Sequence, residues 1–397
     1  MAAKKPKLLW HSNSPTVSTG YGQQTAIFLE RLKDSYDVAC SAFYGVEGAV
    51  IPWKGIPILP GVGGTYGNEE IRAHLGMFGG NDPVTVITLM DVWVLDPQVW
   101  SGLDLACWVP VDHDPAPGPV VNFFKNSGAI PIAMARFGEK MLRDAGLDPL
   151  YVPHAIDTKA YRPHDKAESR RALGIEEDAY IVGMVAANKG NPSRKCFAEA
   201  LEAFKAFHDL NPKARLFLHT EATGRFGGVD LPALIHRLGL DPQTVIFTDQ
   251  YRAVHFPHSA EKMGEIMSSF DVLLAPSAGE GFGIPVIEAQ ACGVPVIVSD
   301  FSAQPELVGA GWLVEGTRTY TAIGSWQVKP SVVDILKALK ACHRRTDREV
   351  ANAAEQARAK ALEYDVDTVF ENYMLPALAE VHKRIEARRP KTLKAAA

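Results

Sequence analysis

Short apolar runs alternate with longer amphipathic ones along almost the whole chain. KLLWHS (7–12), DVACSAF (37–43), VTVITL (84–89), LACWVPV (105–111), IPIAMA (130–135) and LYVP (150–153) have the length and the Val, Ile and aromatic content of strands. The pattern starts again with YIVGMVA (180–186), RLFLHT (215–220), TVIFTD (244–249), DVLLAPS (271–277) and VPVIVSD (294–300). Segments with helical spacing, such as QTAIFLERLKD, AEALEAFKAFHDL and LPALIHRLGL, lie between many of them. Apolar strands separated by helices predict parallel sheets covered on both faces. Because the alternation runs twice, two doubly wound α/β domains are expected, with functional loops beyond the carboxyl ends of their strands. Two such domains facing each other would enclose a cleft. The join is expected near residues 155–175, after VPHAIDTKAYRP (152–163), giving domains over 1–160 and 175–365. A last helix is expected over 366–388, with Val369, Phe370, Tyr373, Met374, Leu378 and Val381 at helical spacing. Residues 45–83 are rich in glycine and read as a loop-rich region.

Composition narrows the class. The 397 residues are 47% hydrophobic and 22% charged, enough to bury two cores and too apolar for a disordered polymer. A net charge of -5 argues against a general nucleic-acid coat protein, and the basic ends MAAKKPK and HKRIEARRPKTLK read as solvated tails. Cys40, Cys107, Cys196, Cys292 and Cys342 are scattered with no CxxC spacing, which suits thiols in a reducing compartment. No run approaches ~18 uninterrupted apolar residues, and the N-terminus lacks the apolar core of a signal peptide. A cytoplasmic protein without stable membrane association is the expectation.

The candidate chemistry concentrates in SAGEGFGIPVIEAQACGVPVIVSD (277–300). A strand should end here and a helix begin at Pro285, ending at Gly293 with Pro295 beyond. Glycines in the intervening loop allow a ligand close to the backbone, and the helix start offers N–H groups to an anion. Glu288, within about the first turn, could accept two hydrogen bonds from vicinal hydroxyls such as those of a ribose.

Glu280 and Glu288 have seven residues between them, and EGFGIPVIEAQACGVPVI resembles the E-x7-E signature of retaining nucleotide-sugar glycosyltransferases (the family 4-like "glycosyl transferases group 1"). VPHAIDTKAYRP is similar to that family's interdomain P-H/N-G-I/V-D…F-x-P segment, with Ala155 in place of the usual glycine. GMVAANKGNPSRKCF is similar to the strand and loop that supply a basic pair, and STGYGQQT to the glycine-rich loop after the first strand. The resemblance implies the GT-B fold: two Rossmann-like domains facing a cleft, with the C-terminal helix returning to the N-terminal domain.

It also implies roles. Glu288 would bind the donor ribose and Glu280 the transferred sugar. The backbone of Phe282, Gly283 and Ile284 would contact sugar and phosphate. Lys195, with Arg194 or Asn188, would neutralise the diphosphate; the family separates its Arg and Lys, whereas here they are adjacent. Gly20 and Gly22 would close over the diphosphate, and His113 would stand near the reacting carbon of the sugar. Asp112-His113-Asp114 also has the D-x-D form by which a different glycosyltransferase fold holds a metal, but that fold has one nucleotide domain and no E-x7-E. The implied reaction transfers a hexose-type sugar from a UDP- or GDP-sugar with retention of configuration and no metal or other cofactor. An epimerase on the same fold and a non-catalytic nucleotide-sugar-binding protein are the competing readings. The N-terminal domain lacks a basic amphipathic helix, so a soluble acceptor is expected: a protein, a glycan or a modified nucleobase. LMDVWVLD would help to form its wall through Asp91 and Trp93.

Overall fold

A computed structural model describes residues 4–190 and 192–389; the outermost parts of both basic ends lie outside the described residues. Two compact units are present. One comprises the chain up to Ala155 together with the part from Val366 onward, and the other is Ile156–Asp365.

The first unit is built on β1 (Lys7–Asn13), β2 (Asp37–Tyr44), β3 (Ile51–Trp53), β4 (Ile56–Pro60), β5 (Val84–Leu89), β6 (Leu105–Val109), β7 (Ile130–Ala133) and β8 (Leu150–Tyr151). Their order is β3-β4-β2-β1-β5-β6-β7-β8, parallel throughout except for the antiparallel β3–β4 pair. The wholly buried Trp10 stacks on Phe28, Trp108 meets both edge-on, and each indole N–H finds an acceptor: Thr25 Oγ1 at 3.1 Å and the Val152 carbonyl at 2.8 Å. The final helix, Leu375–Arg388, belongs to this unit. Leu378 and Val381 are buried on it, Val369 and Met374 are buried in the helical turns Val366–Met374 just before it, where Phe370 and Tyr373 are half-buried, and Arg384 and Arg388 donate to the carbonyls of Asp148 and Gly128.

Residues 45–83 are more ordered than their glycine content implied. They contain the β3–β4 hairpin, whose turn places Lys54 and Gly55 at φ 46° and 82°, and the helix Ile71–Gly79. Pro52 and Pro57 disguise the hairpin, which forms at the sheet edge where proline is tolerated.

The second unit carries β9 (Tyr180–Val185), β10 (Ala214–His219), β11 (Val245–Phe247), β12 (Val272–Ala275), β13 (Val296–Ser299) and β14 (Gly311–Val314). They form a parallel sheet in the order β11-β10-β9-β12-β13-β14. An antiparallel hairpin, β15 (Gly316–Tyr320) and β16 (Trp326–Pro330), follows. β15 is exposed along its length, whereas β16 buries Val328 and Pro330, and neither strand carries an apolar run by which the sequence would announce it. Residues 160–175 are not a free joint: in the Lys166–Ala172 helix, Arg170 is buried and donates to Asp271 Oδ2 at 2.7 Å and the Ser269 carbonyl at 3.1 Å, which anchors this segment in the second unit. Among the described residues no helix is long and apolar enough to cross a membrane.

Candidate active site

β12 lies in the interior of the second sheet and opens into the loop 276–283, which turns into the helix Ile284–Ala291. Gly283 caps that helix at φ 115°, a conformation that other residues adopt only with strain. Pro285 occupies the first turn, where its missing N–H costs nothing. The loop is held from three directions. The Ala278 N–H donates to the Arg194 carbonyl at 2.8 Å, the Val328 N–H of β16 to the Ala278 carbonyl at 3.0 Å, and the Glu280 N–H to Ser302 Oγ at 2.8 Å.

Glu280 is 7% exposed and lies between two cations. Arg194 Nη1 donates to Glu280 Oε2 at 2.8 Å and also to the Gly279 carbonyl, while Lys195 Nζ donates to Glu280 Oε1. Both cations precede the helix Phe197–His208, on the loop that follows β9. Burial alone would raise the Glu280 carboxyl, but Arg194 and Lys195, with a hydrogen bond from Ser277, overcome it and hold the group at about 2. The adjacency of Arg194 and Lys195, a departure from the family spacing, lets them grip the two oxygens of one carboxylate.

Glu288 is the fifth residue of its helix, just past the first turn, and is 5% exposed. No cation is among the causes acting on it. Burial pushes its carboxyl up to about 7, partly offset by a hydrogen bond from the Tyr161 hydroxyl. Phe282 is buried with its ring edge-on to Tyr364 at 5.6 Å.

Asn188 has a different task from the one its position suggested. It is 2% exposed, donates from Nδ2 to the carbonyls of Glu221 and Val229 at 2.9 and 2.7 Å, and accepts from the Val229 N–H at 2.8 Å. All its amide capacity visible here ties the loop after β9 to the loop after β10.

The first unit holds the other candidates. His113 is 8% exposed, and its Nδ1–H donates to Asp112 Oδ1 at 2.6 Å; this partner leaves Nε2 as the nitrogen with a free lone pair in the neutral ring. Gly20 opens the helix Gly20–Leu32, which is capped by Thr19. Gly22 has a packing reason: a Cβ there would come within 2.2 Å of the Val17 carbonyl oxygen. Trp93 is 61% exposed on the short turn Val92–Val94, next to Asp91, in contrast to the wholly buried Trp10, Trp100 and Trp108. Among the described residues no three His, Cys, Asp or Glu side chains gather as a metal ion would require.

Sequence reasoning did not single out Tyr161, Ser277 or Ser302. Tyr161 could have been found, because it stands at the aromatic position of the F-x-P segment. Ser302 could not: its φ of 58° and its bond to the Glu280 amide follow from how the loop after β13 folds.

Part of the chain and its fold are similar to known proteins. Residues 179–323 match the family model "Glycosyl transferases group 1". The matched residues lie within the second unit. The chain is 28% identical over 238 residues to the D-inositol 3-phosphate glycosyltransferase of Geodermatophilus obscurus, covering 58% of this chain and 49% of that protein. It is 28% identical over 161 residues to the lipopolysaccharide core biosynthesis mannosyltransferase LpsB of Rhizobium meliloti, covering 40% and 42%. The alignment thus spans half or less of these two curated relatives. The fold as a whole is similar to sucrose-phosphate synthase from Thermosynechococcus elongatus, at TM-score 0.72 and 16% identity over 96% of this chain and 100% of that one. The Anabaena protein HepE, solved in complex with UDP and glucose, superposes at TM-score 0.67 with 16% identity over 94% of this chain and 100% of its own. The fold is therefore of the GT-B kind that these two structures share.

Proposed function

We propose that this protein is a retaining glycosyltransferase, moving a hexose-type sugar from a UDP- or GDP-sugar to the hydroxyl of an acceptor without metal or other cofactor. The observation that carries this reading is the buried Glu280 gripped by Arg194 and Lys195 at the start of a glycine-capped helix. Cations, a helix start and a carboxylate brought together support a site for a diphosphate and a sugar.

Cleavage of the sugar–phosphate bond leaves positive charge on the sugar and negative charge on the departing diphosphate. Lys195 and Arg194 stabilise the second, together with the N–H groups near Gly283 and Ile284; such preorganised groups act better than water because they need no reorientation. Glu280 holds hydroxyls of the transferred sugar, and Glu288 accepts from the two ribose hydroxyls. From the first unit, His113 is assigned to the sugar near its reacting carbon, Gly20 and Gly22 to the diphosphate, and Asp91 and Trp93 to the acceptor. The acceptor oxygen forms the new bond on the face that the phosphate leaves, and its proton passes to the departing diphosphate. The acceptor is taken to be soluble (a protein, a glycan or a modified nucleobase) and the setting cytoplasmic.

The test is mass spectrometry of the protein incubated with UDP-, GDP- and ADP-sugars and candidate acceptors, with and without EDTA. Transfer that survives EDTA is expected. Activity abolished by chelation and restored by Mn²⁺ would instead favour the D-x-D reading of Asp112 and Asp114, and product formed without acceptor would point to an epimerase.

A further inference from the structure

Residues 61–70 form a loop that follows β4, and the turn Val92–Val94 follows β5. Both strands run parallel to the centre of the first sheet, so both connections leave from carboxyl ends, where doubly wound sheets take their ligands. We infer that Tyr66, on the loop, joins Trp93, on the turn, as an aromatic contact for the acceptor, and that the acceptor presents an uncharged sugar ring there. The inference rests on the glycosyltransferase reading above, whose three kinds of acceptor it narrows to the glycan.

The loop is rich in glycine and yet held at several points. Glu70, 5% exposed, closes it on itself: Oε1 accepts from the Val62 N–H at 3.3 Å and Oε2 from the Thr65 hydroxyl at 2.7 Å. Asn68 buckles it to the connection after β5. Its Nδ2 donates to the Val94 carbonyl at 3.0 Å, and its Oδ1 accepts from the Asp96 N–H and the Trp100 indole N–H, both at 2.9 Å. From β1 the wholly buried His11 places Nε2 at 3.1 Å from the Tyr66 carbonyl. A carbonyl only accepts, so Nε2 carries the proton; burial pushes His11 down to about 4, which keeps the ring neutral and makes Nδ1 an acceptor. The Ser41 hydroxyl of β2 therefore donates to His11 Nδ1 at 2.8 Å, and its oxygen accepts from His74 Nδ1 at 2.8 Å. A directed chain of hydrogen bonds thus runs from the helix Ile71–Gly79 through two strands to the main chain of Tyr66. Gly67 lies close against the same ring: a Cβ there would come within 2.3 Å of His11 Cε1.

A connection alone needs no such anchoring. What this one holds is Tyr66 at φ 53°, a left-handed conformation that a bulky residue keeps only where its surroundings impose it. The Tyr66 ring is 45% exposed and tilted against Phe43 at 6.0 Å. Asn68 ties the loop carrying this ring to the turn carrying the exposed Trp93. Charge decides what two such rings can face. Arg72 is the one Lys or Arg between residues 61 and 100, and its Nη2 donates to the Val99 and Ser101 carbonyls at 2.6 and 3.1 Å. Glu69, Asp91 and Asp96 lie on the same connections. A phosphate-bearing acceptor, a nucleic acid included, would meet carboxylates there in place of the cations that phosphates require. A pyranose suits both features, because its C–H face packs against an aromatic ring and its hydroxyls donate to carboxylates.

The test is saturation-transfer NMR on the whole protein, with maltose, cellobiose, glucose 6-phosphate and thymidine as probes. Saturation of the disaccharide ring protons is expected, with affinity about tenfold weaker in Tyr66→Ala and in Trp93→Ala and kept in Tyr66→Phe. No transfer to either disaccharide overturns the inference, and so does transfer that both alanine variants leave intact. Tyr66-dependent transfer that favours glucose 6-phosphate or thymidine over the disaccharides also overturns it, in favour of a charged or a nucleobase acceptor. Calorimetry with UDP and GDP on the same samples separates the two levels of the reading. Nucleotide binding without Tyr66-dependent disaccharide binding overturns this inference alone. Tyr66-dependent disaccharide binding without binding of either nucleotide overturns the glycosyltransferase reading and, with it, the acceptor role of the surface. Should Tyr66→Ala not fold, Trp93→Ala, a change at a side chain 61% exposed, carries the same test.

Discussion

Glu280 and Glu288 belong to one short signature and are both more than nine-tenths buried, at 7% and 5% exposure. Their carboxyls are nevertheless driven apart, to about 2 and about 7. The surroundings account for the contrast. Glu280 meets a guanidinium, an ammonium and the Ser277 hydroxyl, whereas at Glu288 burial dominates, offset only in part by the Tyr161 phenol. Burial is shared, so it cannot be what separates them; the neighbouring charges are. A site arranged this way keeps one acid permanently ionised, in partnership with the cations, and leaves the other sensitive to pH around neutrality.

The strongest way to break this contrast is Lys195→Ala. Removing one of the two cations from a buried carboxylate should destabilise the protein by about 3 kcal/mol. It should also weaken nucleoside diphosphate binding. Urea denaturation and calorimetry read both effects, and unchanged stability would show that the ion pair is not what holds Glu280 low.

The pH dependence of stability is expected to have two limbs of opposite sign. Glu280, depressed in the folded state, contributes stability that is present above its unfolded value near 4.5 and is lost as pH falls toward about 2. Glu288, raised in the folded state, holds its proton up to about 7 while the unfolded chain releases it near 4.5. Its contribution therefore falls as pH rises through that window, by about 3 kcal/mol at most. Comparing Glu288→Gln with wild type in urea titrations from pH 4.5 to 7.5 isolates the second limb; parallel curves would remove it.

Ligand selectivity should separate the two acids next. Glu288→Ala is expected to weaken free nucleoside diphosphate and nucleotide-sugar alike, each lost bond to the charge being worth about 1.5–3 kcal/mol. Glu280→Ala should spare the free diphosphate, since Arg194 and Lys195 are released to it, and harm the sugar-bearing donor. Equal losses for both ligands in both variants, read by calorimetry, would contradict the division.

The smallest effect is expected from Ser302→Ala, which removes the acceptor for the Glu280 N–H and should cost about 1 kcal/mol in thermal unfolding. An effect on Glu288 titration in this variant would mean that the two ends of the signature are coupled rather than independent.

Much of this site was legible in the chain. The glycines, Pro285 and the two glutamates announced a strand, a loop and a helix start, because backbone freedom and helix capping are local properties. The parallel sheets of both units could be read from alternating apolar runs for the same reason: burial on two faces leaves a continuous hydrophobic record. The β3–β4 hairpin escaped because prolines interrupt its pattern, and the β15–β16 hairpin because the exposed β15 carries no apolar run. Asn188 shows the converse, a polar residue in the right loop whose amide is consumed by neighbouring carbonyls.

What the sequence determined by itself is the succession of elements and the residue types at the loop. Tertiary structure alone decided which partners those residues meet. That Arg194 and Lys195 grip Glu280 from 86 and 85 positions away, and that Arg358 secures Tyr161 from 197 positions away, depends on distances in space that no local pattern encodes. A carboxyl responds to charges within a few ångströms whatever their separation along the chain, so two glutamates of one motif can acquire opposite character only once the fold has chosen their neighbours.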